Sequence, residues 1–300
     1  MTEIVPKEAE ALLTWSGLLA ALETGHRLPQ PPIKDLLLTR GEDVLLDRAT
    51  WIEGMGALVK VATLCKGNAA LGKPTINGVV TLFDDLTGEL TAIVDFHLVT
   101  KWKTAGDSLL SASRLARKDA TEFLLVGAGA VARSMVEAYS AVFPNARFTV
   151  WNRSRASAEA MGLPVADNLE TAVRRADVIC SATMATAPLI RGDWLQPGQH
   201  LDLIGAYKPG MREVDDRAMQ RARVFVDSRA TTLHHIGELM DPIASGAITE
   251  SHVIADFYDD PALYARHSDD EITIAKNGGG AHLDLMTATY IAKTWANRPR

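Results

Sequence analysis

The residues whose spacing carries the most chemistry lie in the middle of the chain. "VGAGAVA" matches G-x-G-x-x-A, with Gly127, Gly129 and Ala132 in the three small positions. In such a turn the first glycine makes the bend, the second lets the backbone approach a pyrophosphate, and the third small residue lets helix and strand pack closely. The N–H groups of the helix that follows, beginning at Ala130 and Val131, then meet the phosphate charge. About twenty residues on, an NAD site usually presents an acid to the ribose. Here "VWNRSR" supplies Asn152, Arg153, Ser154 and Arg155 instead. A carboxylate repels a 2′-phosphate, whereas a guanidinium and a hydroxyl bind one, so NADPH is expected ahead of NADH. The alternative is that these arginines begin a solvated helix.

Two further clusters join them. Ser181, Ala182 and Thr183 end a strand-like run, where ligands bind in open parallel sheets. His282 and Asp284 in "GGGAHLDL" stand at the start of a helical run. Asp284 there either orients a reacting group or caps the helix. His234 and His235 are adjacent and make a poor metal pair if the segment is helical.

These residues need elements to hold them. From about residue 120 the pattern alternates: "TEFLLVGAGA" as strand and turn, "AVARSMVEAYSAVF" as helix, "ARFTVWNRS" as strand, then "NLETAVRRA", "DVICSAT", "HLDLIGAY", "DDRAMQRA" and "RVFVDS" in the same rhythm. Strands alternating with helices imply an α/β, doubly wound parallel sheet of the Rossmann kind. The first third differs. A helical start over "PKEAEALLTWSGLLAALETGHRL" gives way to β-like runs, "VLLDRATW", "ALVKVATLC" and the hairpin "INGVVTLFDDLTGELTAIVDFH", before a linking helix over "VTKWKTAGDSLLSASRLA". "AHLDLMTATYIAKTWA" forms a last amphipathic helix.

Composition narrows the function. With 300 residues and 47% apolar content the chain can build two ordinary domains. It has no run of eighteen apolar residues, and its net charge of −6 disfavours nucleic acid as a partner. "MTEIVPKEAEALLTW" lacks the basic and apolar regions of a secretory signal. Cys65 and Cys180 have no metal spacing and read as reduced core residues, so a cytoplasmic protein without a metal is expected.

Nearly the whole chain resembles the ornithine cyclodeaminase/mu-crystallin family. The resemblance runs in family order through "QPPIK", "ALVKVATL", "PTINGVVTLFDDLTGELTAIVD", "VTKWKTAGDS", "LLVGAGAVA", "VWNRSR", "ICSATMATAPLI", "QPGQHLDLIGAYKPGMREVDD" and "NGGGAHLDLMTA". It implies an N-terminal α+β substrate and dimerisation domain over 1–117, completed by 281–300, a Rossmann domain over 118–280, and a homodimer. It also implies a small imino acid substrate, neither membrane nor nucleic acid as partner, and a carboxylate held by three basic residues. Carried over by position, these are Lys34, Lys60 and Lys103. Lys34 and Lys103 stand where the family pattern has arginine, keeping the charge but not the bidentate fork. Lys60 and Asp284 are the expected catalytic pair. Thr104, Ser181, Ala182, Thr183 and Tyr207 are expected to border the cofactor.

Cyclodeaminases of the family carry a catalytic Asp in "G-G-D-x-P-G"; this chain has "GAYKPG", with Tyr207 at that position. The resemblance therefore implies hydride transfer to an imine rather than deaminating cyclisation. "WKTAGDS" and "KNGGGAHLDL" are most similar to the branch that reduces Δ1-pyrroline-2-carboxylate to L-proline. The alternatives are ornithine cyclodeamination, an alanine-type amino acid dehydrogenase, and a non-enzymatic binder like mu-crystallin.

Overall fold

The computed structural model describes residues 2–299. They form two compact units, one running to Gly106 and resuming at Gly280, the other spanning Asp107–Gly279.

The first unit is built on a six-stranded sheet. Its strands are β1 (Glu3–Val5), β2 (Ile33–Arg40), β3 (Asp43–Ile52), β4 (Gly56–Leu64), β5 (Ile76–Phe83) and β6 (Leu90–Asp95), in the order β1-β6-β5-β4-β3-β2. All neighbours are antiparallel except β1 with β6. The β5–β6 hairpin closes on Asp84, whose carboxylate accepts the N–H groups of Leu86 and Thr87, and Gly88 takes φ +68°. Alternation decides which face is covered. On β4, Leu58, Lys60 and Ala62 are buried while Val59, Val61 and Thr63 are half-exposed.

The long N-terminal helix expected from the sequence is interrupted. A 3₁₀ turn covers Lys7–Leu12, and helix α1 (Trp15–His26) begins only after Thr14, which adopts an extended conformation and caps it by accepting from Gly17 N–H. Helix α2 (Phe96–Leu115) follows β6. The division between units falls inside it, at Gly106/Asp107, whereas the sequence reading set it near residue 118. The second half of α2 is held within the Rossmann unit: Ser111 Oγ pairs with Tyr264 OH at 3.1 Å, and the Leu115 carbonyl accepts from Arg266 and Thr273.

The second unit has seven parallel strands: β7 (Glu122–Val126), β8 (Arg147–Trp151), β9 (Val178–Ser181), β10 (His200–Leu203), β11 (Arg223–Val226), β12 (Val253–Ala255) and β13 (Thr273–Lys276). Their order is β12-β11-β13-β10-β9-β7-β8. Helices α3 (Ala130–Val142), α4 (Arg155–Glu159), α5 (Leu169–Arg175), α6 (Asp216–Arg221), α7 (Arg229–Thr232) and α8 (Gly237–Ala244) connect them. Near-continuous apolar strands such as "EFLLV" are what a sheet covered on both faces requires. Leu124, Val126, Ile179, Leu201, Val224 and Ile274 share one core cluster. The chain then returns to the first unit as helix α9 (Ala281–Ala296). No helix among the described residues is long and apolar enough to cross a membrane.

Candidate functional site

Two clusters of the expected residues take shape, one in each unit. In the first unit the buried face of β4 points Lys60 at the opening turn of α9. Lys60 Nζ donates to Asp284 Oδ1 at 2.8 Å and to Thr100 Oγ1 on α2 at 2.8 Å, and sits 4.8 Å above the Phe96 ring. Asp284 is fully buried, and its carboxylate faces Lys60 rather than capping α9, whose N-cap is Gly280 with no side-chain cap bond.

Burial disfavours the Asp284 carboxylate, but the charges of Lys60, Lys103 and Arg48 outweigh it and hold the group below its usual range. Lys60 is displaced downward, first by burial, then by repulsion from Lys103 and Arg48, against the pull of Asp284. Lys103, one turn along α2 from Thr100, is half-buried and within electrostatic reach of Asp284, Lys60 and His282. His282 is buried with its ring 6.0 Å from that of His26; burial, then the neighbouring His26 and Lys103, keep it neutral.

Lys34 is not brought to this cluster. Residues directly opposite one another on paired strands share a face. The pairings Asp35↔Arg48 and Arg48↔Lys60 put those three side chains on the buried side, whereas Lys34↔Ala49 and Ala49↔Val59 put Lys34 on the other. The sequence assignment of Lys34 is corrected on that ground, because it needed a strand register that a motif does not contain. Arg48 occupies the basic position beside Lys60 instead. Its Nη2 donates to Asp35 Oδ2 at 2.5 Å and its Nη1 lies 3.8 Å from Asp284 Oδ2. A signal was present: the three-residue loop Glu53–Met55, with Gly54 at φ +83°, places β3 and β4 in a register that sets Arg48 opposite Lys60. Thr104 follows Lys103 on α2 and is half-buried.

In the second unit, Gly127 has φ +112°, and a Cβ there would lie 2.5 Å from the Ala182 carbonyl oxygen. Gly129 differs: a Cβ would meet nothing within 4 Å, although the residue N-caps α3. Its lack of a side chain answers no need of the protein's own packing and leaves a cradle at the helix N-terminus, rimmed by exposed Ala130 and half-exposed Val131, that fits a dinucleotide pyrophosphate. Ala132 is buried. Gly127 N–H donates to the Trp151 carbonyl at 2.9 Å, which brings the end of β8 beside the turn.

After β8, Asn152 Nδ2 donates to the Ser154 carbonyl, and Ser154 caps α4 by accepting from Ser157 N–H. Arg155 is engaged by Glu159 at 2.9 Å and by Asp167. Arg153 is exposed and makes no ion pair or hydrogen bond with the described residues. The two arginines read alike in sequence and are not equivalent.

Ser181, Ala182 and Thr183 follow β9, and their loop is organised by a residue the sequence reading missed. Buried Glu213 accepts at Oε1 from Ser181 Oγ (2.6 Å), Thr183 N–H (2.8 Å) and Thr183 Oγ1 (2.9 Å), and at Oε2 from Gly205 N–H (2.7 Å) and Ala206 N–H (3.3 Å). Glu238 accepts from the N–H groups of Glu213 and Val214, and Lys276 Nζ donates to the Leu203 carbonyl. Tyr207 is 55% exposed, with Lys208 Nζ 5.7 Å from its ring centre.

Other expectations fall away from these clusters. His234 and His235 lie in an exposed turn between α7 and α8, not on a helix. Cys65 is half-buried at the end of β4 rather than in the core, while Cys180 is buried and its thiol is pushed well up by burial and by Asp202. Both cysteines are free, and no group of three or more His, Cys, Asp or Glu among the described residues could hold a metal.

A parallel doubly wound sheet with a glycine turn after its first strand, joined in one chain to a mainly antiparallel sheet carrying a buried Lys–Asp pair, is a two-unit α/β architecture of the Rossmann class. The family model described as "Ornithine cyclodeaminase/mu-crystallin family" matches residues 19–298, and the chain belongs to that family. Within it, a Δ1-pyrroline-2-carboxylate reductase of Paracoccus denitrificans is 50% identical over 301 residues, covering 96% of this chain and 95% of that protein. Among solved structures, that of Thermococcus litoralis Δ1-pyrroline-2-carboxylate reductase in complex with NADH and L-proline matches with a TM-score of 0.87 at 23% identity, covering 98% of each chain. An archaeal alanine dehydrogenase dimer with bound NAD matches with a TM-score of 0.87 at 26% identity, covering 98% of this chain and 96% of that one.

Proposed function

We propose that the protein reduces Δ1-pyrroline-2-carboxylate to L-proline with a reduced nicotinamide dinucleotide. The observation that carries the reading is the buried Lys60–Asp284 pair beside Arg48 and Lys103, a cluster with more positive than negative charge, in a chain half identical to a reductase of that name. The bound nicotinamide supplies the hydride. The protein's own work is to hold an imino acid by its carboxylate and deliver a proton to its nitrogen. The basic cluster favours the carboxylate, and Lys60 Nζ holds a proton that burial makes easier to release. Asp284 keeps Lys60 oriented, and the cations around it favour its carboxylate form. Cyclodeamination needs a further base at the position of Tyr207, and a phenol there does not serve as the carboxylate would.

The cofactor is NADPH, with Arg153 and Ser154 on the 2′-phosphate, Asn152 shaping the loop, and Gly127, Gly129, Ala130 and Val131 around the pyrophosphate. Ser181, Ala182, Thr183 and Tyr207 line the remainder of the cofactor's path within the Rossmann unit. The chain works as a cytoplasmic homodimer, with residues 1–106 and 280–300 as the substrate and dimerisation domain. The sheet face opposite Lys60 supports dimerisation: Leu36, Leu38 and Trp51 are each at least half exposed there.

The test is an absorbance assay of NADPH and NADH oxidation with five- and six-membered cyclic imino acids and with pyruvate plus ammonia, alongside ammonia release from ornithine. Rapid oxidation with Δ1-pyrroline-2-carboxylate and no ammonia from ornithine is expected. Ammonia release from ornithine, or turnover confined to pyruvate, overturns the reading.

A further inference from the structure

The loops that follow β9 and β10 are gripped by one side chain, Glu213, which is fully buried and has no surface with which to meet a ligand. We propose that Glu213 is a positioning residue for hydride transfer, setting the nicotinamide end of the dinucleotide by fixing these two loops to each other. This rests on the dinucleotide and reductase reading and deepens it.

The order of the strands gives the direction of the cofactor. Across the sheet, β8, β7, β9 and β10 are successive neighbours. With the 2′-phosphate assigned after β8 and the pyrophosphate at the glycine turn after β7, the nicotinamide falls at the ends of β9 and β10, where ligands bind in open parallel sheets. Each of these two loops carries one large exposed side chain, Met184 and Tyr207. Both stand one residue beyond those that Glu213 holds, Thr183 and Ala206.

Glu213 divides its oxygens between the loops. Oε1 accepts from Ser181 and Thr183 of the first, and Oε2 accepts from Gly205 and Ala206 of the second. The spacing of the two oxygens is set by covalent bonds, so the loops have one relative placement. Their approach is close: a Cβ on Gly205 would run into the Thr183 backbone, and one on Gly127 would run into the Ala182 carbonyl. Three strand ends therefore meet at Ala182 and Thr183. Glu213 is itself held still, its N–H donating to Glu238 Oε2 at 2.7 Å and its carbonyl accepting from the N–H groups of Leu189 and Ile190 at 3.0 Å. Apolar side chains would fill the same space; hydrogen bonds on both oxygens fix position, as the support of a binding site requires.

Asp177 offers the contrast. It too is a carboxylate that ties strand ends together, accepting from Arg117 and from the N–H groups of Thr121 and Glu122. It does so just before β9 and β7 begin, at the edge of the sheet opposite the ligand-binding one.

The experiment compares Glu213→Gln and Asp177→Asn with the unaltered protein. Glutamine keeps the shape of Glu213 but turns one acceptor into a donor, so it serves one loop and opposes the N–H groups of the other. Affinities are measured by calorimetric titration for NADPH and for 2′,5′-ADP, which keeps the 2′-phosphate and has no nicotinamide. Misplacing a reacting group by about 1 Å costs roughly 100-fold. Glu213→Gln is expected to lower kcat with Δ1-pyrroline-2-carboxylate by roughly 10- to 100-fold and to weaken NADPH, with 2′,5′-ADP unchanged. Asp177→Asn should lower Tm and keep the native kcat and both native affinities.

Equal weakening of NADPH and 2′,5′-ADP in Glu213→Gln, or a lowered Tm with kcat retained, overturns the assignment, as does a loss of kcat in Asp177→Asn matching that in Glu213→Gln. Where Glu213→Gln does not fold, Ser181→Ala removes one buried donor and should show the same selectivity with a smaller fall in kcat; native kcat and affinities in Ser181→Ala overturn the assignment. In an unaltered protein that binds NADPH but oxidises it with no imine, the reductase reading falls. A selective loss of NADPH affinity in Glu213→Gln then still upholds the assignment, and its absence overturns it.

Discussion

The two clusters are built on opposite physical plans. In the first unit the chemistry sits in side chains: a fully buried carboxylate, an ammonium with two hydrogen bonds, and a guanidinium set by strand register. In the Rossmann unit it sits largely in the backbone and in what is missing, a glycine whose absent Cβ leaves open space at a helix N-terminus and an exposed loop tip after β8. A side-chain site fails through loss of charge and partners, whereas a backbone site fails through added bulk. On the proposed function, the same contrast separates turnover from cofactor binding.

The largest effect that could break this contrast comes from Lys60. Replacing it with Met should cut kcat by about 100-fold or more, in the range of lost proton-transfer catalysis, with NADPH affinity unchanged by fluorescence titration. Because Lys60 is displaced below its ordinary 10.5, the native enzyme should lose kcat/KM as pH rises through that lowered value, where the ammonium gives up its proton. An unchanged kcat in Lys60→Met would remove proton delivery from the first unit.

Next come the glycines, which should separate stability from binding. Gly127→Ala forces a Cβ at positive φ toward the Ala182 carbonyl and should cost about 1–3 kcal/mol of stability, read as a lower Tm. Gly129→Val should keep its Tm yet weaken dinucleotide binding by roughly 100-fold, about 3 kcal/mol. Equal Tm losses in both would show Gly129 to be a packing glycine.

The arginines sharpen the comparison further. Arg153→Ala should raise KM for NADPH about 10-fold and leave NADH unchanged, the loss of a charge-assisted contact. Arg155→Ala should change either by less than about threefold, because its charge is already answered by exposed Glu159 and Asp167. A larger effect at Arg155 would reverse the assignment.

The smallest effect is one of pH and stability. Burial, then the Glu213 charge, pushes Glu238 from 4.5 up to about 7. The folded state thus holds a proton that the unfolded chain releases between these values, so this group's stabilising contribution is full below 4.5 and is lost as pH rises toward 7. Glu238→Gln should flatten the Tm profile within that window, leaving the portion due to Asp227, which burial raises to about 6. An unaltered slope would show that Glu238 does not bind the proton.

The sequence made the Rossmann strands visible because strands covered on both faces are apolar runs, and the glycine spacing visible because close approach excludes side chains. Short elements such as α7, α8, β12 and β13 escaped it, since three to eight residues hold too little periodicity to separate helix from strand. Lys34 and Arg48 show the limit for the site. A single-residue difference in position reverses the face, and the register that decides it depends on pairing partners. Glu213 shows another limit: a carboxylate accepting five hydrogen bonds looks in sequence like any surface acid.

The most direct measurement supplies purified protein with Δ1-pyrroline-2-carboxylate and NADPH and follows both nicotinamide absorbance and L-proline. One L-proline is expected for each NADPH oxidised, with the rate falling at least about 100-fold in Lys60→Met. Tight NADPH binding with no L-proline formed, or L-proline accompanied by ammonia from ornithine in its place, contradicts imine reduction at the Lys60–Asp284 site.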